Sequence, residues 1–400
     1  MLKVAFIADD SSSMIGGVGW VTNILVENFK KKGIESYLIY KTGTSNPSTK
    51  FQDKFNYRSC GRNEKLLQYL LDKKISIIIN QCVSSIIDSK TLRLIANKCD
   101  CHIVSVIHAK PDLVKVFPSV RSLTWEIRRA VTILDWLINF TKILLFPIYK
   151  PISSYKYYLW RKSIYVNSNY VVVLSKHYIE VLRDYLRLNN SCKIKAIPNP
   201  LRFEDFYDKE LISEKCNEVL VVSRLDEGSK KLSRVFDIWE ILERDTELKE
   251  WKLIIVGGGD YEGLYRKLVR LKGLKNVIFE GIQNPERYYK RAKIFLMTSA
   301  HEGFPMTILE AIQMGVPVVA FDNFESIHEL IINDYNGLII NNNDIINYAN
   351  GLSQLMKNDS RRARYASNAI DYSHNFSVDK VIEKWLTLFE TMTNESPISR

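Results

Sequence analysis

Glu302 and Glu310 stand eight positions apart across the start of a predicted helix, in the run EGFPMTILE. Pro305 suits the first helical position, which would leave the backbone N–H groups of Met306 and Thr307 facing outward. A helix N-terminus attracts phosphate, and carboxylates accept hydrogen bonds from hydroxyl groups. The spacing therefore suits a sugar attached to a diphosphate. A pair of glutamates that only caps a helix and solvates its surface is the alternative interpretation.

Three cations form a second group. Arg224 follows a predicted strand, and Lys230 and Lys231 come shortly after it in a loop that precedes a predicted helix. The fork of an arginine and the point charge of a lysine can neutralise a departing diphosphate without a metal ion. Surface solvation is the alternative for either lysine.

Glycines and one histidine complete the candidates. Gly16 and Gly17 follow the first predicted strand and open an apolar segment, so their backbone could approach a phosphate closely. The GxGxxG spacing is absent, which disfavours a nicotinamide dinucleotide site. His108 ends another predicted strand, at the sheet edge where such folds bind ligands. Gly257–Gly259 offer one more close backbone approach.

Short β-branched runs alternate with longer amphipathic segments, which is typical of parallel α/β sheets. The fold class is therefore predicted as α/β, with two Rossmann-like doubly wound domains, 1–200 and 201–377, facing across a cleft. The helix predicted at the end of the chain, within 378–400, is expected to pack back on the first domain. The predicted strands are 4–8, 36–40, 75–80, 103–107, 171–174 and 193–197, then 219–222, 252–256, 277–280, 294–297, 318–321 and 338–340.

Composition limits the classes of partner that are expected for this protein. The formal charge of +11 favours an anionic partner: nucleic acid, an acidic membrane surface or a phosphorylated small molecule. The six cysteines lack paired CxxC spacing, so a zinc site is not expected, and buried free thiols are. The chain begins with a predicted strand rather than an export signal, which predicts a cytoplasmic protein.

Residues 119–163 carry eight basic and two acidic side chains, interleaved with aromatic rings. A helix is predicted over 123–146 with most of its circumference apolar. Cations beside aromatic rings suit an anionic membrane interface, and Asp135 and Lys142 argue against a spanning helix. A helix packed on its own domain remains the alternative.

The run Ser299–Ala320 resembles the E-x7-E motif of the retaining glycosyltransferases of family 4, which have the GT-B fold. The resemblance is dense over 195–340 and sparse before it. Further matching landmarks, in chain order, are the Gly16-Gly17 loop, His108, VVVLS (171–175), IPNP (197–200), SRLDEGSKK (223–231), IIVGGGD (254–260), FEG (279–281) and NGLII (336–340).

By position, the resemblance implies that Arg224 and Lys230 grip the donor diphosphate, that Glu310 binds the ribose and that Glu302 holds the transferred sugar. His108 would line the reaction centre. The implied catalytic set is thus His108, Glu302, Arg224 and Lys230. The implied donor-binding set is Gly16, Gly17, Arg224, Lys230, Lys231, Gly303, Phe304, Pro305, Met306, Thr307 and Glu310.

Two positions depart from the family pattern. One extra residue separates Arg224 from the lysine, so Lys231 could take the role given to Lys230. Gly19 stands where an acidic residue often follows the glycine pair, which weakens an acceptor role there.

The resemblance implies transfer of a hexose from a nucleotide diphosphate sugar to a glycan or glycolipid, with retention, in cell-surface polysaccharide or lipopolysaccharide synthesis. A UDP-sugar is expected over a GDP-sugar, with no cofactor, no metal ion and no nucleic acid partner. The chain contains no Asp-x-Asp motif, which fits metal independence. The alternatives are a sugar-nucleotide-binding protein without turnover, an epimerase of the same fold and a basic nucleic-acid binder.

Overall fold

Two separate parallel sheets organise the computed structural model, which describes residues 1–10, 17–42, 50–57, 63–81, 87–113, 124, 127 and 132–394. By internal contacts the chain divides into two units. The first unit takes its described residues from Met1–Leu113, Tyr155–Arg202 and Phe376–Arg400, and the second from Val114–Ser154 and Phe203–Asn375.

The first sheet has seven parallel strands in the order β3-β2-β1-β4-β5-β6-β7. The side chains of Ile77, Ile78 and Ile79 are fully buried, as expected for a strand covered on both faces. Its strands are β1 (Lys3–Asp10), β2 (Glu35–Thr42), β3 (Asp53–Asn56), β4 (Ile77–Asn80), β5 (His102–Ile107), β6 (Tyr170–Val173) and β7 (Ile194–Ala196).

Parallel neighbours need crossover connections, and helices stand between these strands along the chain. Within the described residues they are α1 (Gly17–Lys31), α2 (Asn63–Lys73), α3 (Ser89–Lys98), α4 (Ile133–Leu144), α5 (Phe146–Asn167) and α6 (His177–Leu186).

The second sheet has six parallel strands in the order β10-β9-β8-β11-β12-β13. Its strands are β8 (Cys216–Val222), β9 (Lys252–Val256), β10 (Val277–Gly281), β11 (Ala292–Met297), β12 (Val318–Phe321) and β13 (Gly337–Ile340). The helices of this half are α7 (Ser233–Leu242), α8 (Glu262–Leu271), α9 (Glu286–Arg291), α10 (Met306–Gln313), α11 (Ile327–Leu330), α12 (Ile345–Lys357) and α13 (Asp359–Ser373), with 3-10 turns at Lys209–Glu214, Thr246–Leu248 and His374–Phe376.

The last helix, α14 (Val378–Asn394), packs against α1 in the first unit. The Phe29 ring lies 6.4 Å from the Trp385 ring and 5.4 Å from the Phe389 ring, centroid to centroid. All three rings are buried. Residues from late in the sequence thus complete the core of the first unit.

All twelve predicted strands are confirmed, and β3 is an additional one that the sequence pattern did not indicate. The predicted single helix over 123–146 is wrong. Thr132 has extended backbone angles, and its Oγ1 accepts a hydrogen bond from Asp135 N, so a new helix, α4, begins at Ile133. Residues 123, 125–126 and 128–131 lie outside the described ones.

The expectation of buried thiols is correct only in part. Within the described residues the four cysteines are free. Cys101 is buried and Cys99 is half-buried, whereas Cys192 and Cys216 are exposed. Cys60 and Cys82 lie outside the described residues.

Among the described residues, no helix is both long and apolar enough to cross a lipid bilayer.

Candidate functional site

The loop after β8 is organised by Asp226. Its carboxylate accepts hydrogen bonds from Gly228 N (2.8 Å) and Ser229 Oγ (2.5 Å), and it pairs with Arg224 Nη2 at 3.3 Å. Burial alone would raise the pKa of Asp226, but these donors and the guanidinium outweigh it and hold the pKa below its usual value. The arginine predicted for the site therefore stands on a loop with a defined shape.

The glycines after β9 support the same loop. A Cβ added at Gly257 would lie 1.9 Å from Ser223 O, and one at Gly259 would lie 2.5 Å from Leu225 O. Gly257 also has a φ of +136°. These residues are glycine because the backbone around Arg224 passes directly over them. The close backbone approach expected at Gly257–Gly259 is thus an approach of the Ser223 and Leu225 carbonyls to these glycines.

Lys230 and Glu302 form an ion pair through Nζ and Oε1, with only 23% and 14% of their side chains exposed. Two hydrogen bonds to main-chain carbonyls hold together the segments that carry these two residues. Ala300 N donates to Ser229 O at 2.8 Å, and Thr298 Oγ1 donates to Lys230 O at 3.0 Å. The loop after β8 and the loop after β11 are therefore fastened together where the two predicted site residues meet.

Glu227 is a supporting residue that the sequence pattern did not single out. It is 4% exposed, and its carboxylate accepts hydrogen bonds from Ser233 Oγ (2.6 Å), Ser233 N (3.1 Å) and Tyr265 Oη (3.1 Å). Burial, reinforced by the Glu227 charge, raises the pKa of Tyr265. Glu227 thus caps the start of α7. It also fixes the loop that carries Arg224 and Lys230, because Tyr265 donates to its carboxylate. Its tyrosine partner lies 38 positions away, so local spacing gives no signal.

The helix between the two glutamates, α10, begins one residue later than expected. Pro305 has φ −68° and ψ 113°, so it is the residue before the helix rather than the first helical one. The first helical hydrogen bond runs from Ile308 N to Pro305 O. The N–H groups of Met306 and Thr307 therefore precede that bond, as an anion site at a helix N-terminus requires.

Glu310 lies one turn after Met306 on α10 and is 3% exposed. Phe304 is also buried, at 4% exposure, and the Tyr289 hydroxyl donates to Thr307 O at 3.2 Å. The helix start is therefore fixed by packing as well as by its own hydrogen bonds.

His301 is a second residue that the sequence pattern did not single out. It directly precedes Glu302 and is partly buried. Burial lowers its pKa, the Glu302 charge works to raise it, and the charges of Lys230 and Lys231 lower it further. A neutral imidazole next to the ion pair is the consequence at neutral pH.

In the first unit, His108 follows β5 and its Nε2 hydrogen-bonds to Gln81 Oε1. The two residues line one cavity together with Asn199 and Trp385. Gly17 is the first residue of α1, whereas Gly16 lies outside the described residues.

The predicted site residues that the structure describes fall into two groups. His108 and Gly17 are in the first unit, and the others are in the second. The second unit brings Lys230 to Glu302, with the start of α10 three residues beyond Gly303. Arg224 is on the same loop as Lys230; its side chain is 71% exposed, and Asp226 is its ion-pair partner. Lys231 has a left-handed backbone, at φ +52°, and its carbonyl accepts from Thr298 Oγ1.

No group of three or more His, Cys, Asp or Glu side chains is placed to hold a metal ion in the described part of the chain.

Comparison of this sequence with known proteins shows which family and which proteins it is similar to. Residues 203–372 match the family model "Glycosyl transferases group 1". The chain is similar to the amylovoran biosynthesis glycosyltransferase AmsD of Erwinia amylovora, 27% identical over 219 residues that cover 54% of this chain and 60% of AmsD. It is 26% identical over 203 residues to an alpha-1,4-N-acetyl-D-galactosaminyltransferase of Campylobacter jejuni, covering 50% of this chain and 56% of that protein.

Among solved structures, the chain is similar to the pneumococcal O-GlcNAc transferase GtfA, determined in complex with UDP and GlcNAc. The TM-score is 0.73 with 13% identity, over 98% of this chain and 99% of that one. The predicted α/β fold class, GT-B with two Rossmann-like sheets, is confirmed. The chain spans little more than half the length of these two curated relatives, and the family match covers the residues of the second unit's candidate site.

Proposed function

We propose that this protein is a retaining glycosyltransferase of the family 4 type. It transfers a hexose from a nucleotide diphosphate sugar to a glycan or glycolipid acceptor in the synthesis of a cell-surface polysaccharide or lipopolysaccharide. The Lys230–Glu302 ion pair beside the start of α10 is the observation that carries this proposal. It lies within the segment that matches the glycosyl transferase family model.

The proposed chemistry follows from charge. As the bond between the anomeric carbon and the diphosphate breaks, negative charge grows on the leaving oxygen. Arg224, Lys230 or Lys231, and the N–H groups that begin α10 would stabilise that charge, which is electrostatic catalysis of the oxyanion type. Glu302, held by Lys230, would accept hydrogen bonds from the sugar hydroxyls, and Glu310 those from the ribose. The leaving diphosphate would take the acceptor's proton.

Nucleotide release from a small panel of UDP- and GDP-sugars tests the proposal. We expect release with a UDP-sugar, in keeping with the UDP bound in the GtfA structure. Arg224→Ala should abolish it without unfolding the protein, because this side chain is 71% exposed. Turnover should persist in a chelator, since side chains and a helix terminus supply the positive charge. Binding of every donor without release or transfer would favour the binding protein without turnover.

Product analysis separates the remaining alternatives. A retaining transferase gives a product with the donor's anomeric configuration, whereas an epimerase returns an altered sugar or sugar nucleotide. A nucleic-acid binder would show affinity that falls steeply with salt and that survives Arg224→Ala.

We further propose that α4 and the start of α5 attach the protein to an anionic membrane surface. No residue of α4 is buried, and Ile133 and Leu134 are 80% and 66% exposed. Exposed apolar surface of this extent is typical of an interaction site. Two exposed lysines of the same unit accompany it, Lys142 and Lys150. Further along α5, Arg161 is buried and its guanidinium lies over the rings of Tyr157 and Trp160.

Vesicle co-sedimentation tests the attachment. The protein should bind vesicles that contain anionic lipid more strongly than neutral ones, and Leu134→Glu or Lys142→Glu should weaken binding. Leu271→Glu is the matched control, because Leu271 is 72% exposed on α8 of the second unit. Equal loss in the two leucine variants would contradict a specific role of α4. Arg121, Arg128 and Arg129, which the sequence also indicates, lie outside the described residues.

A further inference from the structure

A line of three hydrogen bonds, one buried and two partly buried, connects His108 to the start of α1. The His108 Nε2 meets Gln81 Oε1, Gln81 Nε2 donates to Thr22 Oγ1 at 3.0 Å, and Thr22 Oγ1 donates to Val18 O at 2.8 Å. Gln81 and Thr22 are each only 2% exposed. Water therefore cannot readily replace either partner.

Because the Thr22 hydroxyl donates to Val18 O, the directions of the other bonds in this line follow. The Val18 carbonyl can only accept, so the Thr22 hydroxyl gives it its one proton. The Thr22 oxygen must then accept from the Gln81 amide nitrogen. The amide oxygen consequently faces His108, and because that oxygen is also only an acceptor, the imidazole Nε2 must carry a proton.

Rotating the Gln81 amide would destroy this pattern. Gln81 Oε1 would then face Thr22 Oγ1, and the hydroxyl could donate to it only by giving up its bond to Val18 O. The observed amide orientation keeps both hydrogen bonds of Thr22, so the buried threonine favours it.

We propose that Gln81 and Thr22 are positioning residues that keep His108 in the tautomer with the proton on Nε2. The proposal rests on the proposed function only for the statement that His108 lines the reaction centre. In the neutral ring the lone pair is then on Nδ1, and the ring plane is held relative to α1. Gln81 and His108 follow neighbouring parallel strands, β4 and β5, and α1 begins at Gly17, so one network links a predicted phosphate-side glycine helix with the predicted catalytic histidine.

The tautomer can be measured directly by NMR of protein with ¹⁵N-labelled histidine. The chain has six histidines, and the spectrum of His108→Gln assigns the signal that disappears. We expect the Nε2–H form in the wild type, a mixture of tautomers in Thr22→Val, and the wild-type form in Thr22→Ser, which restores the hydroxyl. Thr387→Val is the control, because Thr387 makes the same kind of bond to Glu383 O on an exposed face of α14.

Kinetics supply the functional outcome. With a donor that turns over, kcat should fall about 10- to 100-fold in Thr22→Val, with little change in the KM of the donor, and recover in Thr22→Ser. Gln81→Glu should move the pH profile upward, because a carboxylate beside the imidazole favours the charged ring.

The two proposals fail separately. An Nδ1–H form in the wild type, or an unchanged spectrum in Thr22→Val, would overturn the positioning role whatever the activity. The expected spectra without nucleotide release from any donor would instead uphold the positioning of His108 and reject the proposed function. Loss of activity to the same degree in Thr387→Val would also count against a specific network.

Discussion

Lys230 and Glu302 are 72 positions apart in the chain, yet they form a largely buried ion pair. We expect Lys230→Ala and Glu302→Ala each to cost about 2 to 4 kcal/mol of transition-state stabilisation, because each removes one preorganised charge. The ratio of kcat/KM values for nucleotide release between wild type and variant measures this cost.

Lys272→Ala provides the control. Lys272 also forms ion pairs in the second unit, with Asp237 and Glu240 at 2.9 and 2.6 Å, but outside the candidate site. Its loss should leave kcat/KM close to the wild-type value. In the double variant of Lys230 and Glu302 the two costs should not add, since the residues contact each other. Full activity in either single variant would remove that residue from the site.

Lys215 predicts a pH dependence of stability in the second unit. It is 5% exposed, and its Nζ donates to Tyr289 O and Lys290 O, at 2.8 and 3.0 Å, at the end of α9. Burial lowers the pKa of Lys215 to about 7 from 10.5. Between these values the unfolded chain binds the additional proton, so the free energy of unfolding should rise with pH by about 1.4 kcal/mol per unit.

Urea unfolding at several pH values between 7 and 10.5 measures this slope. Lys215→Met should remove the contribution of Lys215, so its curve should be flatter than that of the wild type. The exposed Lys252→Met, in the same sheet, should retain the wild-type slope. Parallel curves for wild type and Lys215→Met would refute the assignment.

At the scale of elements, the loop that carries Arg224 depends on the glycines after β9. In Gly257→Ala the new Cβ would lie 1.9 Å from Ser223 O, at a φ of +136° that side chains rarely adopt. We expect a loss of about 3 kcal/mol or more in the free energy of unfolding, together with impaired donor use, because the loop must move. Chemical denaturation and a nucleotide-release assay measure the two effects.

Gly263→Ala is the matched substitution. An added Cβ at Gly263, near the start of α8, has no atom within 4 Å in the described structure. Its stability should stay within about 1 kcal/mol of the wild type. Similar losses in the two alanine variants would mean that the close approach of the backbone at Gly257 is not the cause.

Much of this fold could be predicted from short apolar runs. Ile77–Ile79 and Val318–Phe321 read as buried strands because continuous β-branched and aromatic residues have few other places in a folded chain. The strand β3, Asp53–Asn56, escaped because its sequence DKFN has a single apolar side chain, and its place in the sheet comes from pairing with β2.

Helices with exposed apolar faces were harder to predict. The pattern over 123–146 indicated one continuous helix, but the cap at Thr132 starts a new one. The helix α5 runs through Pro151, which local rules treat as a helix breaker.

Within the candidate sites, the sequence indicated the residues proposed to contact the substrate. It did not indicate the residues that position them through hydrogen bonds. Lys230 and Glu302 stand in a motif and were singled out. Glu227 and Gln81 act through partners 38 and 59 positions away, which only the folded chain brings together. Local spacing carries no information on such contacts, so a supporting network is visible only in three dimensions.

For the whole molecule, each unit has its own buried apolar residues, and α14 packs its buried rings into the first unit. Trp385 is 3% exposed, and its ring is 5.8 Å from that of Phe389 and 6.4 Å from that of Phe29. Trp385→Ala should lower the free energy of unfolding by about 3 to 5 kcal/mol, because it leaves a large cavity. Urea denaturation measures the change.

Trp20→Ala tests whether any tryptophan in this unit would do the same. Trp20 lies on α1 but is 42% exposed. Its loss should cost clearly less than that of Trp385, since less apolar surface returns to water. An equal cost would show that the burial of Trp385 does not account for its effect, whereas an unchanged stability in Trp385→Ala would show that this ring does not stabilise the first unit.

The return of α14 to the first unit has a consequence for synthesis on the ribosome. The second sheet and its helices come from one continuous stretch, Phe203–Asn375, whereas the first unit must wait for a helix that begins at Val378. At about 5 to 20 residues per second, that delay is on the order of 10 to 35 s. The nascent chain therefore exposes the apolar surface around Phe29 until α14 has been synthesised, and this interval gives chaperones that bind such surfaces time to act there.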